Sequence, residues 1–219
     1  MGIVGEVLKN FSTSSTGWFF MWALLISAIF VVALAIERIY YVMVRSNINA
    51  PKFMAEIRKL VKAGDYEKAI SLCNSARDKA LPLVILAGLK KVSESERIEF
   101  RAIQNSVDEG TLEVIPRLQE RTGYLATLAN VSTLLGLMGT IYGLIAAFNS
   151  VSAPGIDATE KSRMLAAGIS VAMNTTLVGL SIAIPAILIY TFVNNKTIKI
   201  IDEIDEHTVK LINLITGNQ

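Results

Sequence analysis

Thr140, Asn174, Thr175 and Thr176 place three hydroxyls and one amide inside two long stretches that contain no Asp, Glu, Lys, Arg or His. Groups of this type donate and accept hydrogen bonds or ligate a desolvated cation, but they do not titrate near neutral pH. A proton relay therefore cannot be built from this chain alone. Thr133 adds another hydroxyl on the first of the two stretches. Polar side chains are costly against lipid, which favours a partner or a wet path, while hydroxyls also bond back to their own helix. On the residues alone, an ion or water path and plain helix packing both stay open.

Other chemistry is poorly supplied. His207 stands among acids and reads as a solvated surface histidine, and the single Cys73 cannot form an intramolecular disulfide. Nothing pairs a nucleophile with a base, so no enzyme is expected, and there are too few ligands for a metal centre. Gly136, Gly139 and Gly143 in GLMGTIYG lack the Lys of a phosphate loop and lie in an apolar run, so they are assigned to helix packing. With 21 Lys+Arg against 19 Asp+Glu there is no basic field to hold nucleic acid.

The elements that must position these hydroxyls are membrane helices. Of 219 residues, 52% are hydrophobic and only 18% charged, and the mean hydropathy is +0.47, too apolar for an ordinary soluble domain. Gly17 to Ile36 is charge-free, about the 20 residues that cross a bilayer core. Its length and the flanking Glu37-Arg38 argue against a cleaved signal. Further uncharged runs cover Thr122 to Ile156 and Met164 to Asn195, parted by Ser152-Ala153-Pro154-Gly155.

Lys and Arg flank the spans unevenly. Arg38, Arg45, Lys52, Arg58 and Lys59 follow span one, Arg117 and Arg121 precede span two, and Lys196 and Lys199 follow span three. The opposite side offers only Lys9, Lys161 and Arg163, so the N-terminus is placed outside and the C-terminus inside. The organisation expected is an amphipathic periplasmic segment at 1–14 and a transmembrane helix at 15–44. A cytoplasmic helical domain follows at 45–121, then a second transmembrane helix at 122–150 and a periplasmic turn at 151–163. A third transmembrane helix at 164–195 leads into a cytoplasmic C-terminal helix at 196–219.

Helical periodicity supports this division. Ile3, Val4, Val7, Leu8 and Phe11 fit either an amphipathic surface helix or a frayed terminus; Phe53, Ile57, Leu60 and Val61 form one stripe and Ala69, Ile70, Leu72 and Cys73 another, with a break at Gly64-Asp65. Ser93 with Glu96 reads as a capping box opening a helix that runs into span two, kinked at Pro116. Ile198, Ile201, Ile204, Leu211 and Ile215 continue span three as an amphipathic helix. The fold class is thus an all-α membrane protein, three transmembrane helices with long cytoplasmic helical extensions. Such helices need partners along their length, so an oligomer is expected.

Small residues recur on one face of each inner span. They are Thr133, Gly136, Thr140, Gly143 and Ala147 on span two, and Gly168, Ala172, Thr175, Gly179, Ala183 and Ala186 on span three. Across LATLANVSTLLGLMGTIYGLIAAF (Leu125–Phe148) and TTLVGLSIAIPAILIYTFVN (Thr175–Asn194) the chain resembles the ion-channel subunits of the MotA/TolQ/ExbB family. Glu37-Arg38, GDYEKAISLC and Ala87-Gly88-Leu89 resemble the pattern of the three-span ExbB and TolQ branch.

The resemblance implies a homopentamer around a dimer of one-span ExbD/TolR-like partners that carry the titrating Asp, with a TonB-like or TolA-like energy-transfer protein beyond. It implies a proton channel of the bacterial inner (cytoplasmic) membrane in a motor that powers protein transport and import across the envelope, with envelope integrity or gliding as the alternative process. The ion carried is H+ or Na+, and no cofactor is implied. Thr140 and Thr176 match the threonines lining the family's ion pathway, and Pro185 its bend in span three. Thr133 stands where many members have Pro, and Val171 where many have Glu.

Overall fold

A computed structural model of the chain describes residues 5, 7, 10–12, 17–94, 99–152 and 154–217. Most of the amphipathic stripe expected at 1–14 lies outside the described residues, as does Glu96 of the expected capping box. The regular elements are α1 (Trp18–Tyr40), a π-helical turn (Tyr41–Arg45), α2 (Ala50–Lys62), α3 (Tyr66–Ser75), α4 (Ala80–Glu94), α5 (Phe100–Gln119), α6 (Thr122–Val151) and α7 (Ala158–Thr216). Among the described residues all regular structure is helical. Three helical stretches, which contain α1, α6 and α7, are long and apolar enough to cross a membrane.

The chain forms two compact units, one from Met1–Ile36 with Gly123–Thr191 and the other from Glu37–Thr122 with Phe192–Gln219. In the first unit, Val31 and Ala35 of α1, Leu125 and Ala129 of α6, and Ala183 and Ala186 of α7 make one buried cluster. Small side chains let these helices approach closely, which is how apolar helices gain contact where lipid offers no hydrophobic drive. Ser27 of α1 and Ser132 of α6 add a buried hydroxyl contact of 2.8 Å, with Ser132 also donating to the Leu128 carbonyl.

In the second unit, Asn49 caps α2 by accepting from the Lys52 N–H, and Asp65 caps α3 by accepting from the Lys68 N–H. The chain turns between them at Gly64, whose φ of +74° suits glycine. Phe53, Ile57, Val61, Ala69 and Cys73 point into the core, following the apolar stripes of the sequence. Helix α4 is buried nearly all round, and Gly88 and Gly110 set its distance from α5. A Cβ on Gly88 would lie 2.7 Å from Val107 Cγ2, and one on Gly110 would lie 3.1 Å from Ala87 Cβ.

Three expectations are corrected here. Ser93 lies in the last turn of α4 rather than opening a helix. Helix α5 runs through Pro116 and ends at Gln119, so the uninterrupted run expected into span two is broken at Glu120-Arg121. Arg121 adopts φ +59°, and its guanidinium pairs with Glu37 at 2.9 Å and Glu120 at 3.2 Å. His207 is buried, because α7 turns Ile200, Ile204, His207, Leu211 and Ile215 inward together.

Candidate functional site

The site is built on the antiparallel seam between α6 and α7. A Cβ on Gly136 would come within 3.0 Å of the Thr175 carbonyl, one on Gly139 within 2.6 Å of Thr175 Oγ1, and one on Gly143 within 2.8 Å of Ala172 Cβ. A Cβ on Gly179 would lie 2.6 Å from the Ser132 carbonyl, and one on Gly168 would collide with Ala147 Cβ. The glycines therefore decide how closely the hydroxyl-bearing faces meet. Pro185 sits exposed inside α7, which passes through it without a break.

Thr140 and Thr176 meet at the edge of this seam. Their hydroxyl oxygens are 3.3 Å apart and half-buried. Thr140 Oγ1 donates to the Leu137 carbonyl at 2.6 Å, and Thr176 Oγ1 donates across the seam to the Gly136 carbonyl at 3.0 Å. Each hydroxyl has one proton, and both are used by these backbone bonds. What the pair offers outward is oxygen lone pairs, suited to accepting from water or a protonated carboxyl, or to ligating a small cation.

The other hydroxyls are placed differently. Thr175 is buried in the seam itself, donating to Ala172 O at 2.7 Å with a longer approach to Gly136 O at 3.2 Å. Thr133 donates back to Ala129 O at 3.1 Å, two turns along α6 from Thr140. Asn174 is half-buried, and at 100° per residue it faces about 160° away from Thr176. The structure thus brings Thr140, Thr175 and Thr176 together around the Gly136 carbonyl and leaves Asn174 and Thr133 apart.

Sequence reasoning passed over Ser27 and Ser132. The available signal was the spacing of Ser27 with Leu24, Val31 and Ala35, a helical stripe that is buried throughout. Among the described residues no group of His, Cys, Asp and Glu is arranged to hold a metal.

The sequence profile of the MotA/TolQ/ExbB proton channel family matches residues 76–206, more than half of the chain and all of this seam. The chain belongs to that family. It is 31% identical over 126 residues to an ExbB-like biopolymer transport protein of Synechocystis, covering 58% of this chain and 48% of that one. It is 40% identical over 76 residues to the Tol-Pal system protein TolQ of Haemophilus influenzae, covering 35% and 32%. The chain thus spans about half the length of the first of these relatives and a third of the second. The solved structure of C. jejuni MotAB shares the fold, with a TM-score of 0.67 at 18% identity over 97% of this chain and 81% of that one. Family membership and three helices long and apolar enough to cross a membrane make this a multi-pass membrane protein of the MotA/TolQ/ExbB family.

Proposed function

We propose that this chain is the ion-conducting subunit of a motor in the bacterial inner membrane. It couples inward flow of H+ or Na+ to movement of an ExbD/TolR-like partner. The observation that carries the reading is the Thr140–Thr176 pair, whose protons are held by backbone carbonyls while the oxygens stay available at the seam edge. The spans around it hold no carboxylate. A mid-membrane Asp on the partner supplies the titrating group, and the two threonines accept from it when protonated or ligate the ion it releases. The chain itself performs no enzymatic step.

In this reading the N-terminus is periplasmic, and residues 45–121 and 196–219 are cytoplasmic. Five copies surround a partner dimer, and a TonB-like or TolA-like protein carries the motion to the envelope. Reconstitution in vesicles with its one-span partner tests the proposal. Selective ion flux that needs both chains supports it, and assembly without flux overturns it. The rival is a structural scaffold, favoured by the fact that each hydroxyl is already bonded to backbone; the same flux measurement separates the two.

A further inference from the structure

The second unit contains a cavity of about 210 Å³ whose lining includes none of the hydroxyl-bearing residues of the seam. Four cations line it, Arg45 beyond span one, Arg77 and Lys79 before α4, and Arg117 on α5, against the single acid Asp78. Arg117 pairs with Glu113 at 2.6 Å, and the Lys79 ammonium donates to the Val44 carbonyl. Among the described residues Arg45 and Arg77 make no ion pair. Like charges gathered from three separate segments repel one another, and a bound anion removes that cost.

One further observation points to the same place. Tyr41, a wall of the cavity, opens the π-helical turn, closed by the Ser46 N–H on the Tyr41 carbonyl at 2.8 Å. Such turns are rare and recur at functional sites.

The floor is apolar, formed by Leu83, Val114 and Leu118. Tyr41 stands five residues past the end of the charge-free run at Ile36. That is about 7.5 Å along a helix, the depth of the headgroup layer, which extends about 5–8 Å beyond the hydrocarbon on each side. We infer that this cavity binds a phosphate group, that of an anionic phospholipid in the adjoining leaflet. Its arginines and Lys79 hold the headgroup, and its apolar floor meets the glycerol end. Basic pockets at the ends of membrane helices recognise anionic headgroups by the same physics, and Arg matches phosphate oxygens bidentately.

The test is retention of phosphatidylglycerol against phosphatidylcholine by the purified full-length protein, read by native mass spectrometry. Preferential retention of phosphatidylglycerol is expected, with Arg45→Gln and Arg77→Gln together weakening it about 30-fold. Arg45→Lys with Arg77→Lys should restore most of it, and Lys52→Gln with Lys62→Gln should leave it unchanged. Arg77 is exposed, so Arg77→Gln alone gives a folded variant with a partial loss. Equal retention of the two lipids by the parent protein, or undiminished retention by the glutamine variants, overturns the inference. So does displacement of the lipid by inorganic phosphate at equal affinity, which would assign the cavity to a free anion. Ion flux is a separate readout, so lipid retention and conduction can fail independently.

Discussion

Thr176 sets its hydroxyl 3.0 Å from the carbonyl of Gly136, across the seam between α6 and α7. That carbonyl is reachable only because the residue carrying it has no side chain. A Cβ on Gly136 would lie 3.1 Å from Thr176 Cα. Packing and site chemistry therefore meet in one residue, and they can be separated by substituting the hydroxyls rather than the glycines.

Thr140→Val and Thr176→Val each keep the side-chain shape and remove the hydroxyl. Loss of one membrane hydrogen bond costs about 0.6 kcal/mol, so assembly should persist. Coupled ion flux with the partner should fall roughly tenfold, equivalent to ~1.4 kcal/mol on the barrier. Full coupled activity in both variants would return the two residues to packing.

Gly139→Ala should act the other way. Its new Cβ would meet Thr175 Oγ1 at 2.6 Å and Cβ at 2.8 Å, and overpacking of this kind costs about 1–3 kcal/mol. Gly123, also on α6, has nothing within 4 Å of a built Cβ. Gly123→Ala should be neutral or gain up to about 1 kcal/mol of helix propensity. Thermal unfolding in detergent compares the two, and equal effects would refute the seam.

Cys73 should resist labelling even after the membrane is opened. It is fully buried, and burial pushes its thiol up to about 12, so at pH 8 only about one molecule in 10⁴ carries the reactive thiolate. Maleimide reaction should be slow in the native protein and prompt in denaturant. Topology is better mapped with a cysteine placed at the exposed Ser71.

His207 gives the second unit a pH-dependent stability. Burial holds its imidazole below the ordinary value, opposed by the neighbouring Glu206 charge. The unfolded chain then takes up the proton first as pH falls. The stabilising contribution is present above about pH 6.5 and is lost as pH drops through the folded value. Thermal unfolding at stepped pH should show this decline, and His207→Gln should flatten it.

Local pattern made much of the molecule legible. Long charge-free runs, the Gly64-Asp65 break and the apolar stripes through Ile57, Val61, Ala69 and Cys73 are properties of neighbouring residues, set by helix period and by the cost of charge in lipid. The small-residue faces of spans two and three could be read the same way, because residues three and four apart share a face in any helix. Ile198 shows the limit of that reading. It belongs to the expected apolar stripe but is exposed, while His207, expected at the surface, is turned inward.

Tertiary structure decided which faces meet and in what register. Thr140 lies against Thr176, Thr175 is sealed in the seam, and Asn174 faces elsewhere, because antiparallel α6 and α7 pair Gly136 with Thr175 and Thr176. Ser27 and Ser132 are 105 residues apart and meet only through helix packing. Arg121 takes the interruption before span two, and Glu37, 84 residues away, pairs with its guanidinium. The cations of the cavity likewise come from three distant segments. A periodic sequence fixes each helix's faces, but the register between helices depends on side-chain shapes summed over the whole contact, which no local window contains.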